Sequence, residues 1–209
     1  MTHTTQTLVW VPLMALVATL PGCFDNPDYR VDGISGATLT DDEFDDVQQL
    51  REEEKLARDL FSDAYAHYGL PVFNDIARSE QQHMDVVLKI LDSYGMIDSA
   101  TERPGKYNNW DIQGLYDGFA TAVRKSKADA LLAGAAVQDM EIEDIGTFLS
   151  RTAQSDIAVV YKDLLCESRN HLRTLSTQIT RSDSTYPQQY ISQGAFDDIV
   201  ATAAETCGK

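Results

Sequence analysis

The segment SEQQHMD (79–85) holds Glu80 and His83 three residues apart. On a helix that spacing turns both side chains to one face, and the other positions of that face are apolar: Phe73, Ile76, Val87, Ile90 and Tyr94. A carboxylate and an imidazole inside an apolar seam carry a desolvation cost unless a partner meets them. The seam of an upstream helix runs Val47, Leu50, Glu54, Ala57, Phe61, Ala64, Tyr68, with a carboxylate at Glu54. A downstream one runs Ile157, Tyr161, Leu164, Ser168, His171, Leu175, with an imidazole at His171. Anionic oxygens and neutral ring nitrogens converging from several helices are what a divalent cation takes. Glu54, Glu80, His83 and His171 are therefore the candidate metal ligands.

Those side chains need long helices to carry them. TDDEF (40–44) is a helix start, with Thr40 as N-cap and Glu43 three residues on. The helical pattern runs to HYG (67–69), where Gly69 and Pro71 end it. A second helix is expected from about 71 to 94, stopped by Gly95, followed by a polar connection and a weaker helix near 111–124. Two further long helices are expected at about 126–150 and 153–180, and one short helix in the tail. No strand alternation persists and no repeat occurs at solenoid spacing. The expectation is an all-α fold: four long helices with a long crossover between the second and third, plus a short C-terminal extension. The third long seam runs Leu131, Ala135, Gln138, Ile142, Ile145, Leu149, with Asp139 and Glu141 flanking Gln138. Glu52, Glu53 and Glu54 read as a mostly solvated face from which one carboxylate points inward, and His67 as a partner for the helix C-terminal dipole.

The chain has 33 acidic and 17 basic residues and a formal charge of -16, which opposes binding to a phosphate backbone and argues against a nucleic-acid partner. At 209 residues it is long enough for one domain with a core, expected over 41–205. Ahead of that, LVWVPLMALVATL (8–20) is an uncharged apolar run, short for a membrane span, that reads as the h-region of a signal peptide. It leads into LPGC, which resembles the lipobox of bacterial lipoproteins. The resemblance implies a signal peptide over 1–22, cleavage before Cys23, a lipid on that cysteine and anchorage to a membrane outside the cytoplasm. Residues 23–40, rich in Gly, Pro and Asp, read as a tether, and a tethered chain is expected to be a monomer or small oligomer. Cys166 and Cys207 remain as a pair that an oxidising compartment would allow to bridge.

EKLARDLF (54–61) followed by IARSEQQHMDVV (76–87) resembles the first helix pair of ferritin-like and rubrerythrin-like di-iron proteins. LREEEKLARDL, VQDMEIEDI, SRNHLR and YPQQYIS look like a bacterial and archaeal branch of that superfamily whose domain has no assigned function. The likeness spans about residues 43–200. It implies that Glu54 is the first-helix ligand, Glu80 and His83 the second-helix pair, and His171 the histidine of the fourth long helix. Two positions depart from the pattern: Ser168 stands where a glutamate would precede His171, with Glu167 beside it, and Gln138 stands where a bridging glutamate is expected. Two carboxylates and two imidazoles then predict one tightly held divalent ion per chain, with iron, zinc and manganese all suited. A second ion would be weak and would depend on Glu167, Asp139 or Glu141 turning inward. The resemblance implies iron-dependent redox chemistry, such as ferrous oxidation or peroxide reduction. The alternative is a non-catalytic metal-binding or structural module of the cell envelope.

Overall fold

A computed structural model describes residues 38–208. The expected signal peptide, the lipid anchor at Cys23 and all but the last residues of the tether lie outside that range. The described residues form six helices and no strand: α1 (Asp41–Tyr68), α2 (Pro71–Ser93), α3 (Trp110–Val123), α4 (Lys127–Arg151), α5 (Ser155–Arg181) and α6 (Gln193–Ala201). None of them is long and apolar enough to cross a membrane.

Local chemistry explains the boundaries. At the start of α1, Thr40 Oγ1 accepts from Glu43 N–H while Glu43 Oε2 accepts from Thr40 N–H, so two otherwise orphaned donors are satisfied. Gly69 closes α1 with φ 60°, a left-handed conformation that glycine adopts without a Cβ clash, and its N–H reaches Tyr65 O. Pro71 then opens α2 at a position that needs no N–H.

Side-chain pairs give the packing directions. Glu54 meets His83 across α1 and α2, and Arg58 meets Gln81, so these helices are antiparallel. Asp46 pairs with Arg151, and Glu43 with Thr152, so α4 also runs against α1. Phe148 packs on Tyr161, and Gln138 bonds His171, so α5 returns against α4. Two helices that each oppose α1 must run the same way, and α2 and α4 therefore need a connection that travels the length of the molecule.

The first part of that connection, residues 94–109, is strapped to α1, and α3 completes it. Gln48 donates to Ile97 O, and Arg51 forks onto Asp98 with bonds of 2.9 and 2.8 Å. Lys55, fully buried, donates to Asp59 at 2.7 Å and to Arg103 O at 2.9 Å, and its ammonium lies over the Tyr107 ring. Asp59 also accepts from Gly105 N–H and Tyr107 O–H. Glu52 accepts from the N–H groups of Asn108 and Asn109. With α2, α4 and this strap around it, α1 has little solvated face left. The expectation for Glu52–Glu54 is corrected here, since all three are at most 1% exposed.

The far side of α5 carries the tail. A disulfide joins Cys166 to Cys207, and Arg169 and Arg173 both bind Glu205. The arginines hold Glu205 down at about 2. Asp139 on α4 faces the loop before α6 and accepts from Tyr186 O–H and from the N–H groups of Gln189, Tyr190 and Ile191.

Candidate metal centre

Midway along the helices a polar group interrupts the core. Glu54 of α1, Glu80 and His83 of α2, Gln138 and Glu141 of α4 and His171 of α5 are each at most 1% exposed. Apolar clusters lie on both sides, around Phe61, Phe73 and Leu175 towards one end and around Leu50, Ile90 and Leu164 towards the other. The polar residues are therefore held in a low-dielectric layer on rigid helices, with their backbone groups already spent on helical bonds.

His83 Nδ1 lies 2.7 Å from Glu80 Oε2 and 3.1 Å from Glu54 Oε2. One ligand atom from each of Glu54, Glu80 and His83 lies within 4.8 Å of the others. Glu80 Oε1 faces the second imidazole, with His171 Nδ1 at 3.1 Å, and the two rings stack at 5.8 Å between centroids. Glu80 thus spans both histidines, one carboxylate oxygen to each. Gln138 closes this side: Oε1 is 3.0 Å from His171 Nδ1, and Nε2 donates to Glu80 Oε1 at 3.0 Å and to Glu141 Oε2 at 2.6 Å. Glu54 Oε1 and Glu141 Oε1 are buried oxygens that no donor reaches.

The electrostatics follow from burial and proximity. Burial pushes Glu54 up to about 7; His83 works against that shift, and the neighbouring Glu80 charge reinforces it. Burial also works to raise Glu80, but His83 and His171 together hold it well below the usual carboxylate range. Glu141 stands well above that range, first through burial and then through the negative charge of Glu80 and Glu54. More carboxyl groups meet here than two imidazoles can neutralise, so the layer favours a cation.

The residues expected from the sequence are brought together: Glu54, Glu80 and His83 as one group, with His171 on the other oxygen of Glu80. Two of the three carboxylates considered for a second ion lie elsewhere. Asp139 is committed to the loop at 186–191, and Glu167 lines a surface groove with Asn170 and Arg173. Glu141 already faces inward without any rearrangement. The signal for it was its i, i+3 spacing from Gln138, which puts both on one side of α4. Ser168 supplies no ligand, since its hydroxyl donates back to Leu164 O. His67 sits at the exposed end of α1 against Asp63 O.

An all-helical protein with a buried Glu, Glu-x-x-His group able to hold a metal ion is the class that this geometry defines. Residues 43–203 match the family described as "Uncharacterized protein domain (DUF2202)", and the chain belongs to that family. It is 34% identical over 168 residues to "Uncharacterized protein MJ0754" of Methanocaldococcus jannaschii, covering 80% of this chain and 91% of the relative. The crystal structure of hypothetical protein MJ0754 from that archaeon superposes with a TM-score of 0.79, covering 81% of this chain and 97% of the other.

Proposed function

We propose that this chain is a ferritin-like metal-binding protein that holds one divalent ion tightly, with iron as the cation and redox chemistry as the use. The observation that carries the reading is the convergence of Glu54, Glu80 and His83 within 4.8 Å in a fully buried layer. The donor set fits such an ion: hard carboxylate oxygens with one imidazole nitrogen, a second imidazole one carboxylate away, and Glu54 Oε1 lacking any donor. The helix directions support a ferritin-like bundle of α1, α2, α4 and α5, because α2 and α4 run the same way and are joined by a long connection.

Bound iron would supply one-electron redox chemistry. The chain's own residues would do the rest. Glu80 would hold the ion from α2 and keep His171 oriented through its second oxygen. Gln138 would fix Glu80 by its amide N–H and set the ring of His171 by its carbonyl. Glu54 must give up its proton to serve as a ligand, because burial holds it up at about 7. The apolar clusters above and below would keep bulk water out.

A non-catalytic role is the second reading, and the positions of Ser168 and Gln138 favour it. One provides a hydroxyl turned to its own helix, the other a neutral amide, where a two-iron centre needs carboxylates. The reading also includes export and a lipid at Cys23. The Cys166–Cys207 disulfide supports that part, since such bonds persist in oxidising compartments.

Metal analysis of tag-free protein, with calorimetric titration of Fe(II), Zn(II) and Mn(II), tests the centre. One tight ion per chain is expected, abolished by His83→Ala and retained in the surface change Asp92→Asn. Absence of any tight ion would end the proposal. Oxygen uptake on adding Fe(II) separates the two readings, and an unchanged membrane fraction after Cys23→Ser would remove the anchor.

A further inference from the structure

Away from that layer, the second half of α5, α6 and the loop between them line a cleft of about 970 Å³, the size of a small-molecule site. Its α5 wall is a single helical stripe: Arg173, Ser176, Thr177, Thr180 and Arg181. Phe196 and Val200, four apart on α6, supply apolar lining together with Tyr186 and Pro187 of the loop. These walls are fastened in place. Asp139 holds the loop through Tyr186 O–H and the N–H of Ile191, and Arg173 Nε donates to Ile199 O at 2.9 Å. The Tyr186 and Phe196 rings pack with 5.7 Å between centroids.

The charge of this lining runs against that of the molecule. In a chain of net charge -16, the cleft carries two arginines and no acid. Arg173 shares Glu205 with Arg169 and is committed to the tail. Arg181 pairs with no carboxylate among the described residues. The end of α5 does not need it as a cap, because the N–H groups of Ser182, Asp183 and Ser184 already reach Ile179 O and Thr180 O. One hydroxyl on the stripe is also unspent. Thr174, Thr177 and Thr180 each donate to the carbonyl four residues back, whereas Ser176 Oγ is buried and has no partner.

We propose that this cleft binds a small amphipathic anion, an alkyl or aryl carboxylate, with its charged end on Arg181 and its apolar body on Tyr186, Phe196 and Val200. A guanidinium fork matches a carboxylate in charge and geometry, and the apolar lining shields a chain or ring from water. Ser176 offers a further polar contact along the same stripe. The ligand comes from solution rather than from a bilayer. α5 runs parallel to α1, so the cleft lies roughly 30 Å along the bundle from the start of α1. A chain anchored ahead of Thr40 would present it away from the membrane.

The test is calorimetric titration of the full chain with decanoate and with decyltrimethylammonium, a cation of the same chain length. The wild type is compared with Arg181→Gln and Val200→Glu, both at exposed positions and both checked for helicity by circular dichroism. One decanoate per chain is expected, bound at least tenfold more tightly than the cation. Its affinity should fall tenfold or more in Arg181→Gln and be lost in Val200→Glu, which puts a negative charge into the cleft. Equal binding of the two amphiphiles would overturn the proposal, since it would mean apolar adhesion alone. So would a decanoate affinity unchanged in both variants. Absence of decanoate binding would overturn it too, and if phosphatidylglycerol vesicles then bound the wild type but not Arg181→Gln, the cleft would belong to a bilayer ligand instead. None of the proposed metal ligands lines the cleft, so the result stands apart from the fate of the metal centre.

Discussion

The Glu54→Gln change has opposite consequences with and without metal, and the structure gives the size of each. Glu54 titrates at about 7 in the folded chain, against 4.5 for an ordinary glutamate. A raised carboxyl pKa stabilises the fold fully below about 4.5, and that contribution is lost as pH rises through 7. The buried charge then costs about 3 kcal/mol at pH 8 and under about 1 kcal/mol at pH 5. Glu80 does not distort this window, since it is held below 4.5 and its contribution is constant from pH 5 to 8. A glutamine keeps an oxygen that can accept from His83 and carries no charge to desolvate. Metal-free Glu54→Gln should therefore melt ~6–12 °C above the metal-free wild type at pH 8 and nearly with it at pH 5. With Zn(II) at about a hundred times its dissociation constant, the wild type gains about 2.7 kcal/mol and the variant little, so the order narrows or reverses. Differential scanning calorimetry across pH, with and without Zn(II), is the assay. A metal-free variant that melts below the wild type at pH 8, or an equal zinc-induced shift in both proteins, would refute the reasoning.

Asp59→Ala should cost about 3–5 kcal/mol, because it strands the ammonium of Lys55 in the interior and frees the strap at Gly105 and Tyr107; urea unfolding measures it. Lys55, Arg58 and the Gly105 N–H outweigh burial and hold Asp59 below 3.8, so its contribution is present above that pH and is lost as pH falls through its folded-state value. Reducing the Cys166–Cys207 bond, which spans a separation of 41 residues, should cost about 2–4 kcal/mol and loosen the tail from α5, seen as a lower melting temperature with reductant. Gly134→Ala puts a methyl group 2.6 Å from Phe61 Cε1 and should destabilise by about 1–3 kcal/mol, with Gly114→Ala, whose Cβ meets nothing within 4 Å, as the comparison.

Local chemistry made much of this protein readable without coordinates. The Thr40–Glu43 capping box, the Gly69–Pro71 stop and the seven-residue seams place α1, α2, α4 and α5 within a residue or two of where they stand. The same seams single out Glu54, Glu80, His83 and His171, because helical spacing alone says which residues share a face. What lies on the remaining faces is a question about neighbours that are distant in the chain. Glu52 and Glu53 look solvated in sequence, yet the 94–109 connection covers one and α4 the other. Glu141 looks peripheral to a narrow seam, yet α4 packs on several helices at once, and its inward face is wide enough to take both Gln138 and Glu141. Asp139 and Cys166 find their partners in the tail, some 40 to 50 residues on. Periodicity is a property of one helix, so the sequence by itself determined which side chains could converge; the burial of charge depends on the register between helices, and only the tertiary structure decided which of them do.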